Sequence, residues 1–354
     1  MKKLHVFNPD HDLALAFGGP CFTPPAAGRG MRFFLGALPA IWADDGDIIL
    51  LDNMEEGLTL MAEHADVVAK VRLMTKEHVR SMTADQWDDV AEVSPWGWNA
   101  ALVWQLERMG VPSRLLPDKG RLAAIRKLSN RESSIDILRE MVAAIPKTVG
   151  WRGVAHSVEE VKTLLIEQNG GVVKAPWSSS GRGVRFSSKV MTANMEGFVR
   201  NVLGSQGSII VEPAYKKVVD FAMEFVADGK GKAEYSGLSL FDTDNGAYLG
   251  NVLADEDHKL GSLSVYADVD VLKSISSRLS SLLGKWCQDV YNGPLGVDMM
   301  VVDMEGDYFL HPCVEINLRR TMGHVALDLT RRSEGRHSVM RITCEKGRYS
   351  LNLS

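Results

Sequence analysis

Short apolar runs alternate with amphipathic stretches along the first third of the chain. Leu4 to Phe7 and Ile48 to Leu51 read as short buried strands, and Val67 to Leu73 as a third. Unbroken apolar runs of this length suit strands covered on both faces. After Ser94-Pro95, the pattern from Trp98 to Met109 changes to a helical period. These elements predict an α/β domain over residues 1–117. Arg121 to Lys127 and Ser133 to Val142 then suit helices, Ser157 to Gln168 a further helix, and the segment from Val149 to Phe186 supplies strands around it. Ala222 to Val226 alternates suitably for a strand of a later element group. No internal repeat or low-complexity linker marks the boundaries.

Within this frame, Gly170 to Phe186 stands out. Val172 and Val173 lead into Lys174; Ser178, Ser179, Ser180, Gly181 and Gly183 form a small-residue loop; Val184 to Ser188 is extended again. Strand, loop, strand is not the order of a Walker loop or a dinucleotide fingerprint, both of which open a helix. Such a hairpin still suits phosphate, because residues without bulk let backbone N–H groups converge on anionic oxygens while a lysine supplies charge. A plain surface hairpin has the same composition.

A second constellation lies downstream. Gly296 to Val302 and Tyr308 to Asn317 flank Met304-Glu-Gly-Asp307, which predicts a hairpin with Glu305-Gly306 at its tip. That register sets Asp298 across from Cys313, and the period of two puts Glu315 and Asn317 on the same face, with Val314 and Ile316 turned into a core. Cross-strand diagonal neighbours are about 7–8 Å apart, close enough for three oxygen ligands to converge on a hard cation at roughly 2.1 Å, with magnesium the natural candidate.

In this order and spacing the elements from Leu116 to Leu329 resemble the ATP-grasp superfamily of ATP-dependent carboxylate-amine ligases. The resemblance implies an α/β protein in which an ATP-grasp fold of two α+β subdomains follows a small α/β N-terminal domain. It divides the chain into residues 1–117, a first subdomain with the phosphate loop at 118–206, and a second with the metal site at 207–354. It assigns Lys174 and the loop of Ser178, Ser179, Ser180, Gly181 and Gly183 to the phosphates of ATP, and Asp298, Glu315 and Asn317 to magnesium. Arg319 matches an arginine that meets the transferred phosphate or an acyl phosphate. Glu212 and Tyr215 match the strand that holds adenine and its surroundings, and Asp220 an acidic position near the ribose. One departure concerns a lysine usually found before the Ile145-Pro146 turn. Arg131 stands near that place, with Lys127 as an alternative. Arginine keeps the charge and grips phosphate bidentately, although the two are not interchangeable. The implied activity is an ATP- and magnesium-dependent ligase joining a small-molecule or peptide carboxylate to an amine. A kinase of the same fold and a nucleotide sensor without turnover are the alternatives.

Composition changes this picture little. The 354 residues are 45% hydrophobic and 24% charged, with a net charge of −5. No long basic run is present, which argues against nucleic acid as the main partner. No apolar run reaches the roughly 18 residues of a membrane span, and Met1-Lys-Lys leads into a strand rather than a signal peptide, so a cytoplasmic protein without a membrane partner is expected. A homodimer belongs among the expected assemblies. The four cysteines, Cys21, Cys287, Cys313 and Cys344, form no Cys-x-x-Cys pair, which speaks against zinc or a disulfide framework. Near the start, Asn8 to Ala16 packs Asp10, His11 and Asp12 between a strand and a predicted helix. Asp10 or Asp12 is expected to cap that helix, with substrate binding and a metal site as the alternatives. Trp96 and Trp98 at a helix entrance are expected to pack between domains.

Overall fold

The computed structural model describes residues 1–178, 183–244 and 247–354. Four parallel strands, β1 (Lys2–Val6), β2 (Ile48–Leu51), β3 (Arg72–Thr75) and β4 (Val90–Pro95), form a sheet of order β3-β2-β1-β4. Parallel pairing demands crossovers, and helices such as Ala26–Phe34 and Met54–Glu63 supply them. Ile48 to Leu51 is wholly buried, as its unbroken apolar run requires. The third strand begins at Arg72 rather than Val67; Val67 and Ala69 are buried in the connection before it. The helix after β4 runs Ala100–Arg108, and Asn99 starts it by accepting a hydrogen bond from the Leu102 N–H. Leu4, Val6, Leu50, Leu102 and Leu106 meet in the core beside the sheet.

Trp96 belongs to that same unit. It is 5% exposed and lies edge-on to Phe7 and tilted against Trp42, with ring centroids 5.1 and 6.1 Å away. Trp96 therefore fills the interior of one unit, and Trp98 is half-buried against the core of that same unit, in place of the packing expected between domains.

The second sheet is antiparallel, with β5 (Gly153–Ala155), β6 (Gly171–Lys174), β7 (Val184–Ser187) and β8 (Ile209–Glu212) in the order β5-β8-β6-β7. Helices Val158–Glu167 and Ala193–Gln206 bury Val161, Leu165, Val199 and Val202 against its strands. A larger antiparallel group follows: β9 (Lys216–Ala227), β10 (Ala233–Asp244), then β11 (Ala247–Val252), β12 (Gly293–Met304) and β13 (Asp307–Asn317). In it β12 lies between β13 and β9, and β9 pairs with β10. Helix Val269–Cys287 buries Leu272, Ile275, Leu279 and Leu283, one face at helical spacing. The chain ends in the hairpin β14 (Val339–Glu345) and β15 (Arg348–Leu353), with β14 also paired to β11.

Contact density divides the chain into two compact units. Residues 1–126, 249–255 and 319–354 form unit 1; residues 127–248 and 256–318 form unit 2.

The β12–β13 hairpin turns at Glu305 and Gly306, both with positive φ (58° and 96°), the backbone of a tight two-residue turn. Near the tip the pairing is Met300 with His311. Beyond it the register slips, and Asp298 pairs with Glu315, not Cys313. The slip covers Pro312, which has no N–H for the ladder. Two carboxylates are thereby placed directly opposite each other.

Two glycines test this packing. A Cβ on Gly171 would lie 2.4 Å from the Glu212 carbonyl oxygen, whereas one on Gly197, on an exposed helical face, meets nothing within 4 Å. Gly171→Ala is expected to lower the unfolding free energy by about 1–3 kcal/mol. Gly197→Ala should raise it by roughly 0.5–1 kcal/mol through helix propensity. Urea titration of each variant checks the contrast, and equal effects would contradict the β6–β8 approach.

Candidate nucleotide and metal site

Lys174 ends β6, and its ladder partner on β8 is Ile210, so Glu212 is its diagonal neighbour on the same face. The Lys174 ammonium donates to Glu212 Oε2 at 2.5 Å. The other carboxylate oxygen accepts from Arg152 Nε at 2.6 Å. All three side chains are buried. Arg152 also donates to the carbonyls of Arg131 and Val314 at 2.8 Å, to that of Cys313 at 3.3 Å and to Ser134 Oγ at 2.5 Å. Its five donors are thus all engaged, and it ties β8 to β13 and to the short 3-10 turn Arg131–Ser134.

Asn130 opens that turn by accepting from the Glu132 N–H, which sets Arg131 at its start. Arg131 Nη1 donates to the Ala175 carbonyl at 2.7 Å and to Ser178 Oγ at 2.9 Å; Nη2 meets Glu315 Oε1 at 2.6 Å. Its Nε is buried with no hydrogen-bond partner among the described residues. Arg131 thus joins the start of the glycine-serine loop to the end of β13.

The loop closes tightly at its described edges. Ala175 N–H donates to the Gly183 carbonyl at 2.8 Å, and a Cβ on Gly183 would lie 2.3 Å from Ser178 Cβ. Only glycine fits there. Ser179, Ser180 and Gly181 lie outside the described residues.

On β12 and β13, Asp298 and Glu315 are half-buried and directly opposed, and Asn317 Nδ2 donates to Asp298 Oδ2 at 3.1 Å. Ile316 turns into the core while Val314 is only half-buried. Among the described residues no group of three or more His, Cys, Asp or Glu side chains gathers as a metal cluster. Two carboxylates and an amide make an all-oxygen donor set, which suits magnesium, an ion that keeps several waters and takes one or two protein carboxylates.

Tyr215 sets its ring edge-on to His311 at 5.7 Å between centroids. Burial, reinforced by Glu212, pushes the Tyr215 hydroxyl up to about 12. His311 is fully buried, which pulls its imidazole down to about 4 and keeps it neutral. Asp220, on β9, is paired with Lys217.

Arg319 is placed in unit 1. It donates from Nε and Nη2 to the two oxygens of Asp12, at 2.9 and 2.7 Å. The helix His11–Phe17 has Asp10 at its N-cap position, but the carboxylate makes no capping bond, and Asp12 serves the arginine instead. Asn8 fastens the turn by exchanging hydrogen bonds with the Gly97 carbonyl and N–H at 2.9 and 3.3 Å.

Arg152 is the residue that sequence reasoning did not single out. It stands in Trp151-Arg152-Gly153 without a motif, and only the fold reveals that its guanidinium meets Glu212.

The electrostatics follow from this crowding. Burial alone would raise Glu212, but Lys174 and Arg152 outweigh it and hold the carboxyl down to about 2. Lys174 is lowered too: burial lowers its pKa, and Arg152 and Arg131 repel its charge, against the attraction of Glu212.

No family model matches the sequence, and no curated protein matches it. Solved structures do. The biotin carboxylase domain of the Hydrogenobacter thermophilus 2-oxoglutarate carboxylase, solved with MgADP, is 15% identical, with 98% of this chain and 76% of that chain covered at a TM-score of 0.55. Biotin carboxylase from Campylobacter jejuni, solved with an ATP ligand, is 13% identical over 99% and 74% of the two chains, TM-score 0.52. N5-carboxyaminoimidazole synthetase from Staphylococcus aureus is 10% identical over 97% and 82%, TM-score 0.52. The chain has the ATP-grasp fold. Among the described residues no helix is long and apolar enough to cross a membrane.

Glu212 supplies a pH test. Its pKa is lower in the folded protein than the 4.5 of an ordinary glutamate, so its contribution to stability is complete above 4.5 and is lost as pH falls toward about 2. Glu212→Gln should flatten the acid limb of the stability curve across that window, measured by denaturant midpoints at successive pH values. An unchanged slope would mean that the carboxylate is not held ionised by its two cations.

Proposed function

We propose that the protein is an ATP- and magnesium-dependent ligase that activates a carboxylate as an acyl phosphate for attack by an amine. The observation that carries this reading is a surplus of buried positive charge. Lys174, Arg131 and Arg152 are each less than a tenth exposed, and they share the carboxylates of Glu212 and Glu315. Arg152 is fully occupied within the protein. Lys174 and Arg131 are the cations left to meet a ligand, and Arg131 Nε has no protein partner among the described residues. Such a site favours a polyanion, because buried cations are costly until an anion reaches them.

In this reading Lys174 and Arg131 hold phosphate oxygens beneath the loop bounded by Ser178 and Gly183, with Ser179, Ser180 and Gly181 completing it. Glu212 orients Lys174 and, with Tyr215 and Asp220, surrounds the nucleoside. Asp298, Glu315 and Asn317 would hold magnesium, which when bound neutralises phosphate charge. Arg319, set by Asp12, would steady the acyl phosphate. No side-chain nucleophile is needed, since positioning and electrostatics account for this kind of chemistry. The carboxylate is a small molecule or peptide end, and residues 1–117 contribute the acceptor-binding domain ahead of the subdomains at 118–206 and 207–354. A cytoplasmic location and a homodimer accord with this assignment. The Hydrogenobacter domain was itself solved as a dimer.

Lys174→Ala should reduce ATP turnover about 10²–10³-fold, the usual cost of one preorganised electrostatic contact. A melting temperature close to that of the unaltered protein must accompany it. Turnover at the original rate in a folded variant would remove Lys174 from the site.

Ligase and kinase differ in the fate of the activated carboxylate. A screen of carboxylates for stimulated ADP release identifies the first substrate. With that carboxylate and hydroxylamine in place of the amine, a hydroxamate, ADP and phosphate are expected. A stable phosphorylated product, with no second substrate ever consumed, would replace the ligase reading by the kinase one.

A further inference from the structure

Unit 1 contains an open cavity of about 630 Å³ whose charged lining residues are Asp10, Asp52, Lys76, Arg29 and Arg32. It sits beyond the carboxyl ends of three parallel strands: Asp10 follows β1, Asp52 directly follows β2, and Lys76 directly follows β3. In open parallel sheets this is where ligands bind. The turn from Asn8 to Asp12, conspicuous in the sequence, is thereby given a cavity to face.

Asp10 is the unusual member. It is 9% exposed, and its Oδ1 is enclosed with no hydrogen-bond partner among the described residues. An enclosed carboxylate oxygen without a donor is costly. Desolvation raises its pKa despite the opposing pull of Arg32. Arg32 does not cure the deficit, because its Nε is on Asp52 at 3.0 Å and its Nη1 on Gln105 at 3.2 Å. Gly28 lets the helix Ala26–Phe34 lie against Asp10, since a Cβ there would be 3.3 Å from Asp10 Cβ.

The other charges are arranged differently. Arg29 and Lys76 are exposed at the rim. Arg29 donates to the Pro24 carbonyl, and the carboxylate nearest Lys76 is the exposed Glu77 at 3.8 Å. Arg29, Arg32 and Lys76 against Asp10 and Asp52 leave one positive charge in excess. A complementary ligand brings one donor-rich cation to Asp10 and a larger anionic charge to the rim.

We propose that this cavity binds a small amine that also carries anionic groups, its ammonium on Asp10 and its carboxylates or phosphate between Arg29 and Lys76. If the ligase reading above holds, such a molecule is the acceptor substrate. Binding itself does not depend on that reading, and the experiment is set up to keep the two apart.

Calorimetry on the full-length protein without nucleotide uses three probes. L-glutamate has an ammonium and two carboxylates, O-phosphoethanolamine an ammonium and a phosphate, and glutarate two carboxylates alone. At least one amine probe should bind, with glutarate about tenfold weaker or more, as loss of a charged hydrogen bond implies. The stronger amine probe then reports whether the anionic end is carboxylate or phosphate. Asp10→Asn, which keeps shape, should weaken that probe by about tenfold or more while leaving glutarate unaffected. Lys76→Met, an exposed change that leaves the fold intact, should weaken all three. Binding of glutarate as tight as that of L-glutamate, no binding of either amine, or insensitivity to Lys76→Met would overturn the proposal. Amine binding in a protein that never turns over ATP would overturn the ligase reading and leave this site standing.

Discussion

Glu212 is a buried carboxylate gripped by two cations, and much of unit 2 is arranged by that grip. Lys174 approaches it from β6, and Arg152 approaches from the segment before β5, carrying with it contacts to β13 and to the turn that begins at Arg131. Removing Glu212 would leave two buried cations without the carboxylate they share, and an uncompensated buried charge typically costs about 3–5 kcal/mol. The network therefore fixes the spacing of three separate chain segments at once. It also sets three cations, Lys174, Arg152 and Arg131, against two carboxylates, Glu212 and Glu315.

The metal-binding candidates depend on the same framework through Arg131. Its guanidinium reaches Ser178 at the edge of the loop on one side and Glu315 on the other. A phosphate at the loop and a cation near Asp298 and Glu315 would thus be sensed by one side chain. An arginine can serve both sides because its planar fork offers separate donors to separate partners.

Parts of this arrangement were legible in the residues. Lys174 before a small-residue loop, and the Glu305-Gly306 tip between two alternating runs, announce their elements because turn chemistry and periodicity are local properties. The exact partner of Asp298 was not legible. It depends on a register slip around Pro312 that shifts Glu315 into place, and a slip of this kind has no signature in alternation. Arg152 was hidden for a different reason: its value comes from five partners far away in sequence, and nothing beside it in the chain foretells them. Asp12 was misjudged because Asp near a helix start caps more often than it pairs, and only the return of the chain at Arg319 supplies the competing cation.

The most direct measurement is a crystal structure of the protein grown with ADP and manganese, the manganese located by its anomalous signal. The account predicts phosphate oxygens within hydrogen-bond reach of Lys174 and Arg131, and a manganese peak on Asp298 and Glu315. Nucleotide bound elsewhere, with Lys174 and Arg131 still closed on their own carboxylates and no metal at the β12–β13 hairpin, would contradict it.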